Sequence, residues 1–235
     1  MKEPGNYTLA VLIDADNAQA SPIHELLEEV SVYGTASVKR AYGDWSTPQL
    51  KKWKDELHTH AIKPVQQFSY TKGKNATDSA LIIDAMDLLH TGDINGFCLV
   101  SSDSDFTPLA TRIRESGLVV YGFGERKTPQ PFVAACDKFI YTDILKPPTT
   151  QGAANKPKFP SPKKKLLEAV DKAAGDDGWA NLGRVGEMLL KNDPSFDARS
   201  YGFKKLVEMA SKQPYLEVRK TKIASGGSTI SVRLK

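Results

Sequence analysis

The sequence predicts an α/β fold with an open, mostly parallel sheet flanked by helices, followed by a small winged helix-turn-helix domain. Three observations support this prediction. In residues 1–145, short apolar runs alternate with segments of helical periodicity, the order that gives a parallel sheet covered by helices. Residues 146–162 contain five prolines among small and polar residues, a composition typical of a linker. Residues 163–235 contain three short helical patterns and then two strand patterns.

The first part contains six strand patterns, and the first of them is continuously apolar, which favours burial on both faces of the sheet. The predicted strands are Tyr7–Ile13, Ala36–Tyr42, Lys63–Phe68, Phe97–Val100, Leu118–Phe123 and Lys138–Ile144. Apolar residues at helical spacing predict the intervening helices. These cover Ile23–Val30, Thr47–His60, Thr77–Leu89 and Phe106–Glu115.

The second part begins after the proline-rich linker and has the order of a winged helix. The predicted helices are Lys163–Ala174, Val185–Leu190 and Tyr201–Ala210, and the predicted hairpin strands are Leu216–Lys220 and Thr229–Leu234. We therefore expect three segments, which are a first domain over 1–145, a linker over 146–162 and a second domain over 163–235.

Charge is unevenly distributed between the two parts. The net charge of the whole chain is +4, but residues 1–145 carry 14 lysines and arginines against 19 acidic residues, whereas residues 146–235 carry 18 against nine. A basic module attached to an acidic one indicates a part that holds a polyanion beside a part that concentrates carboxylates.

Composition excludes several classes of protein. A hydrophobic content of 40% and a charged content of 26% are those of a globular chain, and there is no stretch of 18 apolar residues that would span a membrane. The short charged start does not have the pattern of a signal peptide. Cys98 and Cys136 lie in apolar surroundings without a ligand pattern, so we expect buried thiols and a cytoplasmic protein.

Acidic residues follow two of the predicted strands and begin one of the helices. Asp14 comes directly after the first strand, Asp103 and Asp105 come directly after the fourth, and Asp78 lies at a helix start. In an open α/β sheet, ligands bind at the carboxyl ends of the strands, so these acids converge if strands one and four are neighbours. Such a cluster needs shared protons or a cation, and oxygen ligands favour Mg²⁺ or Mn²⁺.

Each acid also has a purely structural interpretation. Asp103 or Asp16 is placed to cap a helix, and Asp78 is placed to complement a helix dipole. Asp84 and Asp87 have the spacing of a solvated helical face. Acid-rich turns at two separate strand ends, together with a third acid at a helix start, favour the binding site over a set of unrelated structural roles.

Three motifs resemble the NYN domain, in particular its LabA-like bacterial branch, within the PIN-like ribonucleases. They are Asp14-Ala15-Asp16-Asn17, Lys74-Asn75-Ala76-Thr77-Asp78 and Ser101-Ser102-Asp103-Ser104-Asp105-Phe106, in the same order as in that family. The resemblance spans about residues 7–145 and implies a PIN-like fold. It also implies a metal-dependent RNA hydrolase, of the endoribonuclease type, that binds Mg²⁺ or Mn²⁺ through four catalytic carboxylates, those of Asp14, Asp78, Asp103 and Asp105.

The same resemblance implies roles for neighbouring polar residues. Asn17 is expected at or next to the metal, and Ser102 is expected to orient a carboxylate or a phosphate. Lys72 and Lys74, in the basic loop before Asp78, are placed to hold flanking RNA phosphates. PIN-like domains commonly pair, so a homodimer is a further expectation.

The second part resembles an OST-HTH (LOTUS) domain over about residues 163–235, most specifically in Tyr201-Gly202-Phe203-Lys204-Lys205-Leu206. Such domains are associated with RNA binding and are often fused to NYN nucleases. A helix from Tyr201 carrying Lys204 and Lys205, beside a wing carrying Arg219, Lys220 and Lys222, would make one basic face for RNA phosphates. Binding of a protein partner through this domain is an equally open alternative.

Three functional hypotheses follow from the sequence. The first is a metal-dependent ribonuclease with a tethered RNA-binding winged helix. The second keeps the fold without catalysis, as an RNA-binding or regulatory protein, although the presence of all four acids argues against a decayed site. The third is a phosphatase of the haloacid dehalogenase type, because Asp14-x-Asp16 follows the first strand, but a cap domain is not evident and the basic module favours a polymeric substrate.

Overall fold

The computed structural model describes residues 7–68, 76–145, 161–222 and 228–235. The chain divides into two compact units, Met1–Pro147 and Pro148–Lys235. No helix within the described ranges is long and apolar enough to cross a membrane.

The first unit is built on a six-stranded sheet in which every neighbouring pair of strands is parallel, and this confirms the predicted fold class. The strand order is β3-β2-β1-β4-β5-β6. The strands are β1 (Tyr7–Asp14), β2 (Gly34–Gly43), β3 (Lys63–Gln66), β4 (Gly96–Val100), β5 (Val119–Gly124) and β6 (Lys138–Tyr141).

Helices cover both faces of this sheet. They are α1 (Ile23–Tyr33), α2 (Lys51–Thr59), α3 (Ala76–Thr91), α4 (Thr107–Glu115) and α5 (Gln130–Ala135). Alternate residues of β1 enter opposite cores, with Leu9 packing on the α1 and α2 side and Ala10 on the side of α3, α4 and α5. Two apolar faces explain why β1 is continuously apolar.

The order of the strands places a switch point between β1 and β4. From β1 the chain continues to β2 and β3 on one side of the sheet, and then returns to place β4 on the other side. Ile13 pairs with Val100, so β1 and β4 end at the same level of the sheet. Ligands of open α/β sheets bind in the crevice at such a point.

Over residues 161–222 and 228–235, the second unit has three α-helices and a three-stranded antiparallel sheet with the order β7-β9-β8. Its elements are α6 (Lys163–Ala173), β7 (Ala180–Asn181), α7 (Leu182–Asn192), α8 (Leu206–Ser211), β8 (Leu216–Lys222) and β9 (Ser228–Leu234). Leu166, Val185, Met209 and Val232 are among the residues of its separate apolar core.

The predicted helix from Tyr201 to Ala210 is wrong in its first half. Residues Ala198–Tyr201 form a short 3-10 helix that ends at Gly202, which has a left-handed backbone with φ of +86°. The α-helix then begins only at Leu206, after extended backbone at Lys205. Lys204 and Lys205 therefore precede α8 and are not on a helix. Glycine allows the left-handed conformation that interrupts the helical pattern.

Candidate active site

Asp14 lies at the end of β1 and is completely buried. Its Oδ2 accepts hydrogen bonds from Ser101 Oγ at 2.7 Å and from Asn17 Nδ2 at 3.0 Å. Burial raises the pKa of Asp14, while the bonds from Ser101 and Asn17 act in the opposite direction. Asn17 thus contacts Asp14, and Ser101 joins the ends of β1 and β4.

Asp78 lies in the first turn of α3 and is only 7% exposed. Burial and then the negative charges of Asp14, Asp103 and Asp105 raise its pKa to about 6. The carboxylates of Asp78, Asp103 and Asp105 lie together, so acids from the start of α3 and from the turn after β4 converge as predicted. Asp14, at the end of β1, is linked to the same turn through Ser101.

Asp103 and Asp105 are held by a tight turn between β4 and α4. The Asp103 carboxylate accepts a hydrogen bond from the Asp105 N–H at 2.9 Å and caps a 3-10 helix, Ser104–Phe106. The Asp103 N–H donates to Ser101 Oγ at 3.1 Å. The capping interpretation of Asp103 is therefore confirmed, but its side chain still joins the acidic group.

Three carboxylates form a compact set of oxygen ligands. One oxygen from each of Asp78, Asp103 and Asp105 lies within 4.8 Å of the other two. Two carboxylates about 4 Å apart repel by roughly 4 kcal/mol at an effective dielectric constant near 20. A divalent cation relieves this repulsion, and an all-oxygen donor set suits Mg²⁺ or Mn²⁺. Asp14 is not a member of this three-residue set, although its charge acts on Asp78.

Asp16 and Thr77 lie at the site, although the sequence analysis proposed only helix capping for Asp16 and proposed no role for Thr77. Thr77 Oγ1 donates to Asp16 Oδ2 at 2.7 Å, which links the loop after β1 to the first turn of α3. The charge of Asp16 also contributes to the raised pKa of Asp14 and of Asp78. The position of Asp16, two residues after Asp14, was a signal for this acid, but nothing in the sequence indicated a role for Thr77.

Ser101 holds the Asp14 carboxylate, whereas the sequence analysis expected Ser102 to orient a carboxylate or a phosphate. Ser101 makes this contact, whereas Ser102 Oγ accepts a hydrogen bond from the Glu125 N–H at 2.8 Å. Ser102 therefore ties the end of β4 to the residue after β5. A contact of Ser102 with a phosphate remains a prediction.

Asp84 fixes α3 to the sheet. It accepts hydrogen bonds from Arg40 and from the buried Tyr42, both on β2. Burial and the Asp84 carboxylate raise the pKa of Tyr42. Asp87, on the same helix, is exposed, as its spacing suggested.

The predicted RNA-binding lysines fall into two groups. Lys72 and Lys74 lie outside the described residues. Lys204, Lys205 and Lys220 are exposed in the second unit. Side chains alternate along a strand, so Lys220 lies on the side of β8 opposite Arg219. The wing therefore does not present its cations as the single basic face that the sequence suggested.

The NYN domain family matches residues 8–145, more than half of the chain. The chain belongs to the NYN family. NYN domains belong to the PIN-like nuclease superfamily, and the acidic group of this NYN protein fits metal binding. This membership leaves the haloacid dehalogenase hypothesis without support.

A second family, the OST-HTH/LOTUS domain, matches residues 157–226 of the NYN protein. This domain implies RNA binding. The family assignments confirm both resemblances drawn from the sequence motifs.

Several solved bacterial structures are similar to this chain. The NYN protein is similar to a protein of unknown function from Vibrio parahaemolyticus, with 19% identity and a TM-score of 0.50, over 60% of this chain and 96% of that one. This likeness concerns the fold alone. An uncharacterised Nitrosomonas europaea protein is 33% identical, with a TM-score of 0.31, over 38% of this chain and 90% of that one. A Chromobacterium violaceum protein is 38% identical, with a TM-score of 0.27, over 34% of this chain and 85% of that one. No curated protein matches the chain.

Proposed function

We propose that this NYN protein is a divalent-metal-dependent ribonuclease that hydrolyses RNA phosphodiester bonds and holds RNA with its winged-helix domain. The observation that carries the proposal is the convergence of Asp78, Asp103 and Asp105, with ligand oxygens within 4.8 Å, at the switch point of the sheet. Repelling carboxylates at the usual ligand position of this fold support a bound cation.

In this proposal, Asp78, Asp103 and Asp105 hold one Mg²⁺ or Mn²⁺, with Asp14 beside Asp78 as the fourth acid. When bound, such an ion stabilises charge on a phosphate oxygen and lowers the pKa of a bound water. Asn17 and Ser101 keep the Asp14 carboxylate in one orientation through their hydrogen bonds. Asp105 is the exposed member of the set, and a carboxylate oxygen of Asp105 that does not contact the ion would orient the attacking water.

The remaining parts of the proposal concern the substrate and the setting. A site of several acids repels an RNA backbone, so cations elsewhere on the chain must hold the polymer. The basic second unit supports this role, with Lys204, Lys205 and Lys220 exposed on it. The free thiols of Cys98 and Cys136 are both buried, which supports a cytoplasmic protein. Homodimerisation and a protein partner of the second domain remain predictions.

The test is cleavage of labelled RNAs, single-stranded and structured, by the purified chain with Mn²⁺ or Mg²⁺. We expect cleavage that stops with a chelator and with Asp103→Asn or Asp78→Asn. Asp87→Asn, an exposed change on the same helix as Asp78, should leave cleavage intact. Comparison of end-labelled with internally labelled RNA separates internal from terminal cleavage. If the wild-type chain binds Mn²⁺ and RNA but cleaves none of them, the catalytically silent RNA-binding hypothesis replaces this one.

A further inference from the structure

The sheet of the second unit has an inner and an outer face. Val218 and Val232 pair in register and pack in the apolar core. Side chains alternate along a strand, so the residues that flank these valines point outward. We call this outer surface the Trp179 face, and it consists of Trp179, Glu217, Arg219, Ser231 and Arg233.

Two arginines stack on one tryptophan in this face. The guanidinium carbon of Arg219 is 4.2 Å from the centre of the Trp179 ring, and that of Arg233 is 4.8 Å from it. Ser231, a small residue, lies opposite Arg219 in the central strand. The tryptophan is only partly buried.

The two arginines differ in their charge partners. Arg233 Nε donates to Glu217 Oε2 at 2.7 Å, so its charge is largely compensated. No carboxylate within the described residues pairs with Arg219, which is exposed. Arg219 is thus a cation held in place by an aromatic ring, and its guanidinium makes no hydrogen bond to another described residue.

A guanidinium stacked on indole loses little of its binding capacity. Stacking occupies the flat face of the group, while its N–H donors lie in the plane and remain available for a bidentate contact with phosphate. Because the ring already restricts the arginine, less conformational entropy is lost when an anion binds. Such a group is better suited to a phosphate than a freely rotating lysine is.

We propose that the Trp179 face binds the phosphate backbone of RNA, with Arg219 as its principal phosphate contact. The proposal rests on the proposed function in taking RNA as the partner. Charge complementarity supports it, since residues 163–235 contain 15 lysines and arginines against nine acidic residues. Trp179 is a positioning residue that orients Arg219.

The test is binding of a fluorescently labelled single-stranded RNA to the full chain, followed by fluorescence anisotropy at several salt concentrations with a chelator present. Arg219→Gln should weaken binding by about tenfold. It should also reduce the slope of log affinity against log salt by about 0.7–0.9, the contribution of one phosphate contact. Trp179→Leu should weaken binding less, because the arginine remains but is no longer held.

Controls separate this result from general losses of charge or folding. Lys164→Gln removes one charge from an exposed position on α6 and should leave binding and its salt dependence unchanged. Thermal unfolding of each variant shows whether a loss of binding comes from a loss of structure. A variant with wild-type unfolding, a lower affinity and a smaller salt slope supports the proposal.

Three results would overturn the proposal. In the first, the Arg219→Gln variant binds RNA as tightly as the wild type does. In the second, RNA binding is lost only in the Lys204→Gln and Lys205→Gln variants. In the third, the wild-type chain binds no RNA and the domain instead binds a protein partner. Because binding is measured without metal, it is independent of cleavage. If RNA binding depends on Arg219 but no RNA is cleaved, only the nuclease proposal is contradicted. If RNA is cleaved but its binding is unaffected by Arg219→Gln, only the proposal for the Trp179 face is contradicted.

Discussion

The Ser101 hydroxyl donates a 2.7 Å hydrogen bond to the buried carboxylate of Asp14 and so connects the ends of the two central strands. Ser101 Oγ also accepts a hydrogen bond from the Asp103 N–H. One side chain therefore positions two of the site's acids.

Ser101→Ala should lower the free energy of unfolding by about 1–3 kcal/mol, because a buried carboxylate loses a hydrogen bond that nothing replaces. Urea unfolding measures the change. Ser104→Ala, an exposed change in the same turn, should alter stability by less than about 0.5 kcal/mol. Equal stabilities of the two variants would contradict the role given to Ser101.

Asp78 makes the metal-free protein less stable as the pH rises. Its pKa is about 6 in the folded chain against 3.8 ordinarily, so between these values the folded state binds more protons than the unfolded state. Stability should therefore fall as pH rises from about 4 to about 6 and level off above that.

Asp78→Asn removes the carboxylate that makes the folded chain lose stability as the pH rises. The variant should therefore be more stable than the wild type at pH 7, without metal, by about 1–3 kcal/mol, since one pKa unit corresponds to about 1.4 kcal/mol. Thermal unfolding in a chelator across this pH range measures the effect. Asp87→Asn should keep the wild-type pH dependence. A variant Asp78→Asn that is less stable than the wild type at pH 7 would show that the carboxylate is not under repulsion.

The Asp84 network should contribute to the stability of the first unit. Asp84→Ala leaves the buried Tyr42 hydroxyl and Arg40 without their carboxylate, which should cost about 2–3 kcal/mol. Tyr42→Phe removes one hydrogen bond together with its donor and should cost about 1 kcal/mol. Asp87→Ala serves as the control in the same unfolding experiment. A cost for Asp84→Ala no greater than that for Asp87→Ala would mean that α3 is held by packing alone.

Much of the first unit and its acidic site could be predicted from the sequence because strand patterns and strand-end acids are local signals. The closeness of Asp14 to the turn that holds Asp103 followed from the parallel sheet, once β1 and β4 are neighbours, whereas the position of Asp78 depends on the packing of α3. The choice of Ser101 over Ser102 could not be predicted, since it depends on the exact register of β4 against β1.

The second unit was less predictable at its short elements. β7 has two residues, too few to give an alternating pattern, and it forms a strand only because it pairs with β9. The pattern from Tyr201 to Ala210 has helical spacing, but the left-handed Gly202 separates it into a 3-10 turn and a later helix. The stacking of Arg219 on Trp179 joins residues distant in sequence, which composition does not reveal.

The most direct test of the central claim is an anomalous difference map from a crystal of the chain soaked in Mn²⁺. The claim predicts one peak at about 2.1 Å from carboxylate oxygens of Asp78, Asp103 and Asp105, a distance typical of small divalent ions with oxygen ligands. The peak should be absent in an Asp103→Asn crystal soaked in the same way. A fully soaked wild-type crystal without density between these three side chains would contradict the claim.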